Sequence, residues 1–148
     1  MKKILYLSLL FAFAFSFSSC SDSPESAAKR YVEYMAEGKF EKLMDNGAKP
    51  DHMTNDEFKE MKRKMKDLIE AHKDEIKERI KDYKIDKIEV VPNDEGEKVT
   101  YLDNDKTEAR VYLKVTFKNG KIEEDRVRLV KQDGKWKFED SGFSFAFR

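Results

Sequence analysis

Across residues 107–147 apolar and polar positions alternate with the period of two that marks strands with one buried and one wet face. Ala109, Val111, Leu113, Val115 and Phe117 take one side, and Arg110, Tyr112, Lys114 and Thr116 take the other. Two hairpin signals, Asn119-Gly120 and Asp133-Gly134, divide the run, and the single Trp, Trp136, follows the second by two residues. Upstream, residues 84–91, closed by the turn 92–96, and residues 98–102, closed by 103–105, predict two shorter strands. Together they predict a curled antiparallel meander whose apolar face the preceding helices must cover.

Register along this meander poses a conflict. A two-residue turn at Asn119-Gly120 pairs Phe117 with Ile122 and Val115 with Glu124, and then sets Leu113 against Arg126 and Val111 against Arg128. One extra residue within 123–125, a β-bulge, restores Leu113 to Val127 and Val111 to Leu129. Across Asp133-Gly134 no correction is needed, and Leu129 is expected opposite Phe138. Gly142 shifts the parity between Trp136 and Phe138 on one side and Phe143, Phe145 and Phe147 on the other, which predicts a second bulge there.

Before the meander, apolar residues recur every three or four positions. Ser23-Pro24-Glu25 combines an N-cap, a first-turn Pro and a first-turn acid, and Ala28, Tyr31, Val32 and Met35 follow on one face. Gly38 reads as a left-handed cap. A short helix over 40–46 offers Phe40, Leu43 and Met44 and stops at Gly47. Thr54 and Glu57 form a capping box, followed by Phe58, Met61, Met65, Leu68, Ile69, His72, Ile76 and Ile80. A helix from 56 to 83 would run about 40 Å, long for so small a sheet, so a bend or break is expected near 72–74. Met61 and Met65 read as core packing, with a methionine surface for a ligand or partner as the alternative. The Lys/Glu faces read as solvated, with a coiled-coil partner helix as their alternative.

The chain has 148 residues, enough for one domain with one core. Charged residues make up 41%, yet 30 basic balance 30 acidic side chains, and Lys2 and Lys3 fall outside the domain. No basic surplus remains, which excludes the usual electrostatics of a nucleic-acid binder. Aromatics at 12% exclude a disordered chain. His52 and His72 are the only histidines and Cys20 the only cysteine, so no metal site and no disulfide is expected.

Lys2-Lys3 and the apolar run to Phe15 form a signal segment too short for a comfortable membrane span. Ser16-Phe17-Ser18-Ser19-Cys20 resembles the lipobox of bacterial lipoproteins, in which the thiol is acylated and the chain is cut before the Cys. The resemblance implies a signal peptide over 1–19, a lipidated Cys20 with a short tether over 20–23, and a single domain over 24–148. Ser21, in place of an Asp after the lipidated Cys, implies the outer membrane of a Gram-negative cell envelope, on its periplasmic or its surface face.

Helix, short helix, helix and a curved antiparallel sheet ending in Asp133-Gly134-Lys135-Trp136-Lys137 resemble the α+β cone of nuclear-transport-factor-2-like (cystatin-like) domains. Ser23-Pro24-Glu25, Ala36-Glu37-Gly38-Lys39-Phe40 and the run 127–137 are similar to a family of small bacterial lipoproteins of unknown function with that fold. The resemblance implies helices packed on a curved sheet, and related folds include isomerases and dehydratases that work in the cone with an Asp or His base and a Tyr donor.

Catalytic candidates on that analogy are Tyr31 or Tyr112 with Asp125 or Asp140, but no motif brings them together, and no catalytic residue, cofactor or metal ligand is assigned. The expectation is a non-catalytic binding or accessory module held at the membrane through Cys20. A small apolar ligand would be lined by Tyr31, Met35, Tyr112, Trp136, Phe138 and Phe143, unless these residues simply form the core. An enzyme using the cone pocket and an interaction module acting as a homodimer are the alternatives.

Overall fold

The computed structural model of the chain describes residues 22–139. The expected signal segment, Cys20, Asp140, Phe143, Phe145, Phe147 and the bulge expected at Gly142 lie outside the described residues.

Helix α1, Pro24–Ala36, begins where the cap chemistry puts it: the Ser23 side chain accepts from the Ser26 N–H at 3.2 Å, with Pro24 in the first turn. Its buried face includes Ala28, Tyr31, Val32 and Met35, and the chain turns out of it through Gly38 at φ 67°. Helix α2 is Phe40–Asp45. Helix α3, Asn55–Ala71, opens on the expected capping box, with the Thr54 N–H donating to Glu57 Oε2 at 2.8 Å and the Glu57 N–H to Thr54 Oγ1 at 3.3 Å. His72, at φ −111° and ψ 16°, interrupts the helix, and α4 resumes over Lys73–Ile80. The break therefore falls within the expected 72–74. His72 itself is exposed, with Nδ1 3.5 Å from Glu75.

The sheet is antiparallel and curled, made of β1 (Ile85–Val90), β2 (Val99–Tyr101), β3 (Glu108–Phe117), β4 (Ile122–Gln132) and β5 (Lys135–Phe138). Its order is β1-β3-β4-β5, and β2 shares with β1 the same edge of β3. Between β4 and β5 the register is as expected, Leu129 facing Phe138 and Lys131 facing Trp136 across a two-residue turn with Asp133 and Gly134 both at positive φ.

Between β3 and β4 the register corrects the sequence reading. The ladder runs unbroken from Glu108↔Val130 to Thr116↔Ile122, without a bulge at 123–125. The extra residue sits in the turn instead. The Phe117 N–H donates to the Lys121 carbonyl and the Gly120 N–H to the Phe117 carbonyl, each at 2.9 Å, which leaves residues 118–120 as a three-residue loop. Gly120 there adopts φ 86°, as this loop type requires. Val127 and Leu129 still reach the inner face, opposite Val111 and Ala109, but Leu113 now faces Asp125 and Val115 faces Glu123. Burying two aliphatic side chains outweighs leaving two carboxylates half-buried on the same face.

Helix α1 covers the inner face, and the core it closes includes Leu113, Val115, Phe117, Val127, Leu129 and Phe138. Among the described residues no polar or charged side chain is buried. Helix α3 is the second correction: none of its residues is buried, and Leu68 is 59% exposed. The sheet face is already filled by α1, so the apolar stripe of α3 lies mainly against α2 and α4, with Ile69 packed at the edge of the core, and stays half-exposed. Only Ile80, at the end of α4, drops into the core, against the turn at Gly38.

Candidate functional site

Under α3 lies an apolar groove of about 450 Å³. Tyr31, Leu43 and Phe138 form its floor; Phe58, Met61 and Met65 of α3 form one wall; Met44, Pro50 and Met53 form the other. The second wall is a loop, and backbone hydrogen bonds hold it in place. The Ala48 N–H donates to the Phe138 carbonyl at 2.6 Å and the Phe138 N–H to the Asn46 carbonyl at 3.0 Å, so the loop continues the sheet beyond β5. The Gln132 side chain adds two bonds to the Lys49 backbone, at 3.0 and 2.9 Å, and Lys49 Nζ donates to the Met53 carbonyl at 2.7 Å. Lys66 Nζ, 2.8 Å from Glu41, ties α3 to α2, and this pair holds the Glu41 carboxyl below its ordinary value and the Lys66 ammonium above it.

Charge is confined to the rim. Lys62 lies over the Phe58 ring at 5.2 Å and 3.5 Å from Asp45, while Glu139 pairs with Arg128 Nε at 2.6 Å. His52 is exposed. Four thioethers and three aromatic rings thus line the space, with the charged side chains toward its exposed edge. Such a lining suits an apolar guest, because thioethers adapt to its shape and most of the surface offered to it is apolar.

The candidates from the sequence distribute unevenly. Tyr31 and Phe138 line the groove and meet edge-on, ring centroids 5.1 Å apart. Met35 is wholly buried between α1 and the sheet. Tyr112 projects from the outer face, where hydrogen bonding to Arg110 and then to Asn93 holds its hydroxyl below the ordinary phenol value. Trp136 sits beside Tyr101, centroids 6.5 Å apart, and is not part of the groove. Phe143 lies outside the described residues. For catalysis, Tyr112 and Asp125 stand on opposite faces of the sheet. Asp125 lies four residues along β4 from the Leu129–Phe138 rung that carries Tyr31, roughly 13 Å away. Asp140 is outside the described residues.

The sequence reading missed Phe58, Met44 and Met53 as lining and placed Met61 and Met65 in the core. A signal was available. Of the 6 methionines, all but Met1 fall between positions 35 and 65, and four of them line the groove. Among the described residues no cluster of His, Cys, Asp and Glu could hold a metal ion, and no helix is long and apolar enough to cross a membrane.

Residues 17–139 match the family described as Domain of unknown function (DUF4878). Among solved structures, the chain is similar to a protein of Campylobacter jejuni provisionally named an NTF2-like transpeptidase. The two share 18% identity and a TM-score of 0.54, over 80% of this chain and 99% of that one. At this identity the likeness shows the fold alone, an NTF2-like α+β cone. No match is found among curated proteins.

Proposed function

Since the chain belongs to the DUF4878 family, whose function is unassigned, we propose that it is a lipid-anchored cell-envelope protein whose domain binds an apolar ligand without transforming it. The observation that carries this reading is the groove itself, about 450 Å³ lined by methionines and aromatic rings. Acid–base chemistry needs an ionisable group held within reach of the reacting atom, usually with a displaced pKa. Here the rim offers His52, Lys62 and Glu139, and Glu139 is already engaged by Arg128. At its other end the chain is read as entering the envelope through a signal peptide over 1–19 and staying there by acylation of Cys20, in the outer membrane of a Gram-negative cell.

The neighbour's name raises acyl transfer as the competing reading, and Ser26-Ala27-Ala28-Lys29 has the spacing of a serine–lysine pair. Ser26 is, however, taken up by the start of α1. Its hydroxyl accepts from Ser23 Oγ at 3.0 Å, Lys29 is exposed, and neither lines the groove. Binding therefore accounts for more of the arrangement than catalysis does.

Two measurements test the proposal. Labelled palmitate should enter the wild-type chain and not Cys20→Ala. An apolar fluorescent probe should bind the domain, and Met61→Asp, at a half-exposed position, should weaken that binding by about tenfold or more, equivalent to about 1.4 kcal/mol. Equal binding by the variant would remove the groove as the site.

A further inference from the structure

The residue that leads into α1 is tied down at one end of the sheet. Asp22 Oδ2 accepts the Trp136 backbone N–H at 2.8 Å, and Arg30 Nη2 lies 3.4 Å from Asp22 Oδ1. Asp22 stands two residues after Cys20, and two extended residues span about 7 Å. If Cys20 carries acyl chains, as the proposed function holds, so short a tether keeps this end of the domain next to the membrane.

The surface presented there has interfacial chemistry. Tyr101, whose ring lies beside that of Trp136, is 43% exposed, and Leu102, next in the chain, is 36% exposed. Lys106 Nζ lies 5.4 Å from the Tyr101 ring centroid and Lys131 Nζ 5.8 Å from that of Trp136. Aromatic rings settle at the headgroup level of a bilayer, and lysines above them extend their ammonium groups to the phosphates. The turn that carries Leu102 is held firmly. The Asp103 carboxylate accepts the Thr107 N–H at 2.7 Å and the Glu108 N–H at 3.3 Å, and the Leu102 N–H donates to the Glu108 carbonyl at 3.0 Å. The Thr107 hydroxyl also donates to the Asp103 carboxylate, and this bond, with the backbone N–H groups of Thr107 and Glu108 after it, holds the Asp103 carboxyl below its ordinary value. Among the described residues the other large exposed apolar side chains are Leu68 on α3 and Ile122 beside the β3–β4 turn.

We propose that the Tyr101–Leu102 corner, with Lys106 and Lys131, rests on the phospholipid headgroups of the membrane that holds Cys20, fixing the orientation of the domain. The inference rests on the anchor, and the test separates the two. With Cys20 acylated, Leu102→Cys carries the only free thiol, and Leu68→Cys serves as its control. Each variant, made as the full chain and recovered after processing, is labelled with an environment-sensitive fluorophore and reconstituted into phosphatidylethanolamine–phosphatidylglycerol vesicles. The label at 102 should shift to the blue and be quenched by headgroup-proximal spin-labelled lipid, while the label at 68 stays in water. Protein that floats with the vesicles but shows no shift at 102, or equal shifts at both positions, overturns the membrane contact and leaves the anchor standing. Protein that does not float overturns both.

Discussion

Gly38 is where the arm formed by α3 and α4 is seated on the rest of the domain, and replacing it tests that seating. Two separate costs meet at this position. The residue sits at φ 67°, which an alanine adopts only with a penalty of about 1–2 kcal/mol. A Cβ placed on it would also stand 2.3 Å from Ile80 Cδ1, closer than any real contact, so Ile80 must leave its buried place. Displacing a packed side chain costs about 1–3 kcal/mol, which brings Gly38→Ala to about 2–5 kcal/mol in all. Gly120 supplies the control, because it has φ 86° but no atom within 4 Å of an added Cβ, so Gly120→Ala should show the backbone cost alone. Ile80→Val deletes the offending Cδ1. By itself it should cost about 0.5–1.5 kcal/mol, and combined with Gly38→Ala it should cost clearly less than the sum of the two. Urea unfolding followed by Trp136 emission measures all four variants. A Gly38→Ala no worse than Gly120→Ala, or a strictly additive double variant, would refute the seating of α4 on this turn.

Two further outcomes are expected. Hydrogen bonds from the Thr54 N–H and hydroxyl hold the Glu57 carboxyl below its ordinary value of 4.5. A lowered folded pKa stabilises above the unfolded value and is lost as pH falls through the folded one. Helix content by circular dichroism should therefore decline below about pH 4.5 more steeply in wild type than in Glu57→Gln, and superimposable acid titrations would count against the capping box as the start of α3. In the core, Leu129→Ala should cost about 2–5 kcal/mol, whereas Leu68→Ala should stay within about 0.5 kcal/mol. Similar losses at both sites would mean that the stripe of α3 is buried after all.

Local chemistry was legible in the chain. Ser23 and Thr54 mark their helix starts, Gly38 ends α1, the break falls at His72, and the alternation of Ala109 to Phe117 names the inner face of β3, because each depends on residues within a turn or a strand of one another. The β4–β5 hairpin belongs to the same class, since Asp133-Gly134 supports a two-residue turn at positive φ.

The β3–β4 hairpin does not. Asn119-Gly120 is compatible with a two- or a three-residue loop, and which one forms depends on Val127 and Leu129 reaching the core beneath α1. The sequence demanded one additional residue, and the fold took it in the turn, where Gly120 accommodates it without breaking the ladder. The site was harder still. Periodicity shows that Phe58, Met61, Met65 and Leu68 share a face of α3, but not whether anything covers that face. Coverage depends on how much of the sheet α1 leaves free, which is a property of volumes and of the whole packing. With the sheet already filled, the stripe that patterning assigns to the core becomes the wall of a groove.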